Sequence, residues 1–518
     1  MKNPRWSLSG VAVGVCLYAL ASPAAAQEEP TEPKKDEAKP DAETQPQEQP
    51  TTPPKSDAEK AIEDVETYET GEGNKPEALQ EAFFRLQRNF VATSDDGFKR
   101  LGTVPLWPRG EFKVGDVRLF PFLRQAAEWE SNYYRTTDNE QAQWTHVNEA
   151  GVLADLALMG GRLHLSAGGD AIWRMRYGSD APDDTFDIDS QFNVEYTWPS
   201  GLWVKGGVAY IIRNDPDELP SVGATNFERT QTRTYFTIGT DRDIFFGSRF
   251  RFEMGVQTNN EVADDSIYSD LDRNEDIVYV KASYPFLKDT TRIFGLARYR
   301  WDNRDSEAIN DGQSVGFSVG LEGSIPLSQG AYRSLRGQIS VGFDTAVYDN
   351  NEFQSGSTTV VADPNEDATT ANVIVGLQYL MSPRASIDLR YLHQAEFSFY
   401  GNYQIVDRVD TNFTSNLTRR LTGRLSAFFE HTDPSGTYPR ETIPPTPGTQ
   451  DAPNSSRYGL GAGLRWAWTD WVDIDVSADV ERNRSDVSTN DYNNYRAVIG
   501  LTFYLNALTA KPREAAEH

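Results

Sequence analysis

The feature that most constrains this chain is a two-residue alternation of apolar and polar side chains. It begins near Phe112 and persists to Leu505. From Tyr458 the even positions Tyr458, Leu460, Ala462, Leu464, Trp466 and Trp468 are apolar. The odd positions Arg457, Gly459, Gly461, Gly463 and Arg465 are small or charged. After Thr469-Asp470-Trp471 the pattern resumes, with Val472, Ile474, Val476, Ala478 and Val480 alternating with Asp473, Asp475, Ser477, Asp479 and Glu481. Tyr495, Ala497, Ile499, Leu501, Phe503 and Leu505 make a further apolar row. Side chains on a strand point alternately to opposite faces, so a period of two predicts strands apolar on one face and polar on the other.

The same reading predicts about 18 strands (16–18). They start near Val117, Ala142, Arg162, Phe186, Leu202, Arg229, Ser248, Ile277, Thr291, Ser314, Leu335, Ala371, Ala385, Tyr403, Leu421, Tyr458, Val472 and Tyr492. Short connections such as Met159-Gly160-Gly161, Trp198-Pro199-Ser200-Gly201 and Ser382-Pro383-Arg384 alternate with long polar ones at 213–228, 259–276, 302–312, 348–370, 432–456 and 483–491. A strand crosses lipid in about 9–11 tilted residues, and a closed barrel satisfies every backbone group without water. The predicted fold is therefore all-β, a transmembrane antiparallel barrel in the outer membrane with both termini periplasmic. Trp144, Trp173, Trp198, Trp203, Trp301, Trp466, Trp468 and Trp471 fall near strand ends, as interfacial girdles do. The residues are 38% hydrophobic, and mean hydropathy is −0.59, which excludes a bundle of membrane helices. A formal charge of −27 argues against nucleic acid as a partner.

The N-terminal region reads as three segments. Residues 1–26 resemble a signal peptide: Lys2 and Arg5, an apolar stretch from Leu8 to Leu20, then Ala24-Ala25-Ala26 before Gln27. Cys16, the one cysteine, falls within it, so disulfides and cysteine-ligated metals are excluded from the mature chain. Residues 27–75 are acidic and Pro/Glu-rich, a composition too polar to bury a core, and are expected to be disordered. Within 76–111, Leu79, Phe83, Leu86 and Phe90 predict a short amphipathic helix and a linker. The barrel is expected over 112–506 and a polar tail over 507–518.

The first predicted strand and its connection contain Pro121, Trp129, Asn132 and Arg135, with Glu130-Ser131 where an acidic pair is the pattern. Together with the final hairpin, Trp466 to Tyr504, this resembles the beta-barrel porin 2 family over about residues 112–506. The resemblance implies an outer-membrane channel, in some members accompanying exopolysaccharide export.

Enzyme motifs are sparse. His146, His164, His393, His431 and His518 show no zinc-site spacing. Gly312-Gln-Ser314-Val-Gly316 and Gly316-Phe-Ser318-Val-Gly320 match the letters of a nucleophile elbow, but no helix pattern follows them. Asp270-Leu-Asp272-Arg-Asn274-Glu-Asp276 starts like a calcium loop and lacks its glycine and its final glutamate. No catalytic, metal or cofactor site is expected. Alternation instead assigns a pore lining: Arg162, Asp170, Arg174 and Arg176; Arg249, Arg251 and Glu253; Arg292, Arg298 and Arg300; Arg465; and Asp473, Asp475, Asp479 and Glu481. The expected function is a porin-like channel for polar solutes or a secreted polysaccharide, with outer-membrane lipid as its surroundings. The alternative is a structural tether whose N-terminal segment contacts periplasmic export or cell-wall components.

Overall fold

The computed structural model describes residues 112–505 apart from parts of most connecting segments. The expected signal peptide, disordered segment, short helix and polar tail lie outside the described residues. Among the described residues there is no α-helix.

A three-residue strand, Phe112–Val114, precedes the wall. The wall itself is made of β1 (Val117–Glu130), β2 (Gln143–Leu158), β3 (Leu163–Tyr177), β4 (Thr185–Thr197), β5 (Leu202–Arg213) and β6 (Arg229–Thr240). It continues through β7 (Arg251–Ala263), β8 (Arg273–Leu287), β9 (Thr291–Arg304), β10 (Gly312–Pro326), β11 (Ser334–Tyr348) and β12 (Ala368–Ser382). The last third comprises β13 (Ala385–Glu396), β14 (Gln404–Asn416), β15 (Leu421–Pro434), β16 (Ser455–Ala467), β17 (Val472–Ser485) and β18 (Tyr492–Tyr504). Each strand pairs antiparallel with the next, and β18 pairs with β1 from Phe122↔Tyr504 to Glu130↔Arg496. The sheet is thus a closed 18-strand antiparallel barrel. Two small hairpins, 352–361 and 437–451, stand apart from it in the connections.

Pro121 inside β1 has a local reason. On one side β1 pairs continuously with β2. On the other, Phe112–Val114 pairs with Val117 to Leu119, and β18 takes over only at Phe122. Pro121 falls in the gap between these two partners, where no backbone N–H is required. The turn from β2 to β3 is equally specific. Met159, Gly160 and Gly161 all have positive φ, at 53°, 66° and 84°. A left-handed run of this kind favours glycine, and only Met159 bears a side chain there.

Strand number and order agree with the alternation, but several connections are shorter than the sequence implied. The stretch 259–276 is a connection only over 264–272, because β7 runs to Ala263 and β8 starts at Arg273. Likewise β9 reaches Arg304 and β12 begins at Ala368. These strands continue into segments polar on both faces, where periodicity falls silent while the backbone ladder persists. One girdle assignment also changes. Trp203 faces inward and is buried over Gly239, with Lys205 Nζ at 4.7 Å from its ring centre.

The seam can be tested directly. Ala127 on β1 and Ile499 on β18 are paired across it. Cross-strand Cα separations of about 4.5–5.5 Å lie within the range a disulfide spans. The double variant A127C/I499C, cleaved once within 435–454, should give two fragments that stay joined on a denaturing gel until reduced. Free thiols and separate fragments would mean an open sheet.

Candidate functional site: the charged interior wall

The two faces of the wall are inverted relative to a water-soluble protein. Outward positions carry Trp144, Trp173, Phe186, Phe192, Phe317, Val319, Phe343, Leu460 and Ile499, all exposed. Inward positions on the same strands carry Arg174, Arg176, Asp187, Asp344, Asp473, Asp475 and Arg496, all buried. A register slip of one residue would exchange the two sets, so the pairing is fixed by this partition.

The inward charges are arranged in pairs. Arg298 on β9 forks onto Asp344 on β11 at 3.1 and 2.6 Å, passing over Gly316 on β10. A Cβ at Gly316 would stand 2.0 Å from the Asp344 carboxylate. The seam repeats the device. Arg124 on β1 reaches Asp475 on β17 at 3.0 Å across Gly500 on β18, whose Cβ would meet that carboxylate at 2.7 Å. Glycine in the middle strand clears the line between the two partners. Elsewhere Arg496 bonds Asp479 at 2.9 Å and lies 3.6 Å from Glu128. Arg408 binds Asp410 and Glu430, Arg457 binds Glu430, and Glu261 is shared by Arg229 and Arg273.

The residues assigned to the lining by alternation divide as follows. Arg174 is paired with Asp187, and Arg176 packs over Tyr133 while donating to the Asp183 carbonyl. Asp170 lies on the inward face opposite Gly151. Glu253 accepts from Tyr279 Oη at 2.9 Å. Arg292 donates to Ser283 and to the Arg249 carbonyl. Arg300 lies 3.6 Å from Glu275. Asp473 accepts from Tyr504 Oη at 3.0 Å and lies 3.9 Å from Arg465, while Glu481 accepts from Tyr492 Oη at 2.5 Å. Two arginines are placed differently. Arg162 is exposed in the turn before β3, because the glycine turn extends the connection by one residue beyond the expected start. Arg249 stands before β7, which starts at Arg251 rather than near Ser248; Arg251 is exposed at that strand end.

Sequence reasoning missed the partners more than the lining. Arg124, Glu128, Asp344 and Arg496 sit at inward positions of the same alternation; in β1 the signal is blurred by Pro121 and the Ala126-Ala127 pair. It also missed Arg390, which is inward on β13 and half-buried, with no hydrogen bond or ion pair among the described residues. Gly376, its cross-strand partner, has open space where a Cβ would be. Near the long-connection end Arg300 Nη2 on β9 donates to the Ala395 carbonyl on β13 at 3.3 Å, a contact between strands four apart. Next to it Tyr403 stacks on Tyr348 with ring centres 6.0 Å apart and packs on Ala346 and Ala368.

The described residues of the motifs resembling enzyme signatures lie in strands or at their ends. Ser314 and Ser318 lie within β10, and Ser314 Oγ accepts from Arg300. Asp272 accepts from the Ala263 N–H and Asp276 from Thr258; Asp270 lies outside the described residues. Asp491, in the connection before β18, is held below the usual carboxylate range mainly by the Ser485 N–H, with Arg484 adding to it.

The two ends differ in charge. Connections on the long side carry Asp215, Asp217, Glu218, Asp264, Asp265, Asp305 and Glu307, and their basic residues are Arg135 and Arg440. Those on the short side carry Arg162, Arg242, Arg249, Lys288, Arg333, Arg384, Arg419 and Arg420 against Asp241, Asp243, Asp289 and Asp470.

No family model and no curated protein matches the chain. Among solved structures it is similar to Pseudomonas aeruginosa OpdK with vanillate, at 10% identity and TM-score 0.38, covering 75% of this chain and 99% of that one. It is similar to a BenF-like porin from Pseudomonas fluorescens Pf-5 at 12% identity and TM-score 0.41, with 75% and 99% covered. A bacterial polysaccharide outer membrane secretin is similar at 11% identity and TM-score 0.31, with 74% and 98% covered.

The pairs over glycine should behave as units. Removing one partner of a buried ion pair costs up to about 3–5 kcal/mol, while removing both costs less than the sum. Arg124→Ala and Asp475→Ala should each lower the temperature at which the folded gel band is lost, and the double variant should recover part of that loss. Additive losses would mean the pair is not coupled.

Proposed function

We propose that this chain is an outer-membrane channel for small polar solutes. The observation that carries the reading is the inverted barrel, with an apolar exposed exterior and a charged interior wall. Lipid is the solvent that makes such an exterior favourable, and a hydrated lumen is the setting that tolerates such an interior. The short turns and both ends of the described chain lie on one side, which we assign to the periplasm; the long connections then face outward.

The lining supports a filter with two parts. An acidic outer rim raises the local concentration of cations and screens out anions at low ionic strength. Most inward charges are neutralised by a neighbour, so the acids of β17 act chiefly as braces for arginines. Among the described residues Arg390, unpaired beside the open space at Gly376, is one of the wall's charges left to meet a solute.

Single-channel recordings in planar bilayers test this. The protein should conduct, with a cation preference that weakens as salt rises. Arg390→Glu should move the reversal potential further toward cations. A silent bilayer with folded protein would overturn the channel, and an unchanged reversal potential would remove Arg390 from the path.

A further inference from the structure

Alternation on β17 turns two arginines away from the lumen. Glu481 and Asn483 are buried inward, so Arg482 and Arg484 share the outward face with Val476, Ala478 and Val480. Register fixes their neighbours. Arg482 lies opposite Tyr458 on β16 and Asn493 on β18. Arg484 lies opposite Ser456, which in turn lies opposite His431 on β15. His431 Nδ1 and Ser456 Oγ are 2.9 Å apart. The patch is thus continuous across three strands, beside the exposed rings of Tyr458 and Tyr495.

Its height is informative. Arg482 is about ten residues beyond Val472, which at about 3.3 Å per residue and a tilt near 40° places it about 25 Å up the barrel axis. That equals the height of an apolar band, so Arg482 stands where hydrocarbon gives way to headgroups. The short-side boundary is marked by Trp466 and Trp468, both exposed.

Two of the acids around the patch are already engaged. Asp407, opposite His431, accepts from Tyr391 Oη at 3.0 Å and lies 2.7 Å from His393 Nδ1. Asp491 takes Arg484 at 2.6 Å, and Asp433 lies beyond His431 toward the rim. Glu430 and Glu481 face inward. Arg482 has its Nε buried without a hydrogen-bond acceptor. A guanidinium at an apolar boundary with a buried, unmet donor is a place for an anion.

We propose that Arg482 centres a site for a phosphate-bearing headgroup of an outer-leaflet lipid, completed by His431 and Ser456. Guanidinium geometry matches phosphate, and a hydroxyl and an imidazole supply further donors. A lipid is the fitting source because the patch faces the bilayer rather than the lumen or bulk water. The proposal rests on the outer-membrane reading above.

Native mass spectrometry of the detergent-purified full chain tests it, with phosphorylated lipid A, its dephosphorylated form and inorganic phosphate as probes. Wild type should retain phosphorylated lipid A at least tenfold more than the dephosphorylated form. Arg482→Gln should abolish that difference, and Arg482→Lys should keep part of it. Gel heat-modifiability should be unchanged in both variants, which separates loss of the site from loss of the barrel. If wild type is not heat-modifiable at all, the outer-membrane reading fails first. Equal retention of both lipids by wild type, or full retention by Arg482→Gln, overturns the site. Complete displacement by equimolar inorganic phosphate overturns the lipid as its source. Loss of an oligomer in Arg482→Gln, with lipid retention intact, means the face docks a second copy instead.

Discussion

The rest of the structure depends on the hydrogen bonds between β1 and β18. Until they form, the sheet has two open edges whose N–H and C=O groups no lipid can satisfy. Once they form, each strand has an inside and an outside, and every residue is committed to one of them. The seam is held by side chains as well as backbone. Arg124 spans it to Asp475, Arg496 of β18 lies between Asp479 and Glu128, and Asn494 donates to Glu130 at 3.1 Å. The two ends of the barrel sequence thus meet through ion pairs that neither strand could make alone.

Closure also explains why so many charges can be interior. Burying one charge is costly, and burying a matched pair with further hydrogen bonds is much less so. The wall meets that condition largely by register: many basic and acidic residues stand on adjacent strands, and Arg298–Asp344 and Arg124–Asp475 stand on next-but-one strands over a glycine. Braced charges of this kind stiffen the wall and leave the field of the interior to the groups without such partners. The connections add an excess of acidic residues on one side and of basic residues on the other.

The fold was legible because alternation is a one-dimensional signal of a two-faced wall. Tyr458 to Trp468 and Val472 to Glu481 announce both the strand and its direction of burial. Strand ends were less legible. Residues such as Asn274, Asp276 and Thr369 belong to strands but stand above the apolar band, so nothing in their hydropathy marks them. Pairing was legible in kind and not in detail. That Arg and Asp share the lumen follows from period two, but that Arg298 meets Asp344 over Gly316 depends on a register set by turns and connections far along the chain. Trp203 and His431 show the converse limit. An aromatic near a strand end is equally compatible with a girdle and with an inward plug against Gly239, and a histidine near a rim with either face.

The partition of faces is tested most directly by a spin-label scan along β18, with single cysteines from Asn494 to Thr502 in the folded protein reconstituted in lipid. Labels at 495, 497, 499 and 501 should be accessible to membrane-dissolved oxygen, and those at 494, 496, 498, 500 and 502 should be shielded from it. An oxygen accessibility that does not alternate, or alternates in the opposite phase, would contradict a lipid-facing exterior and a charged interior.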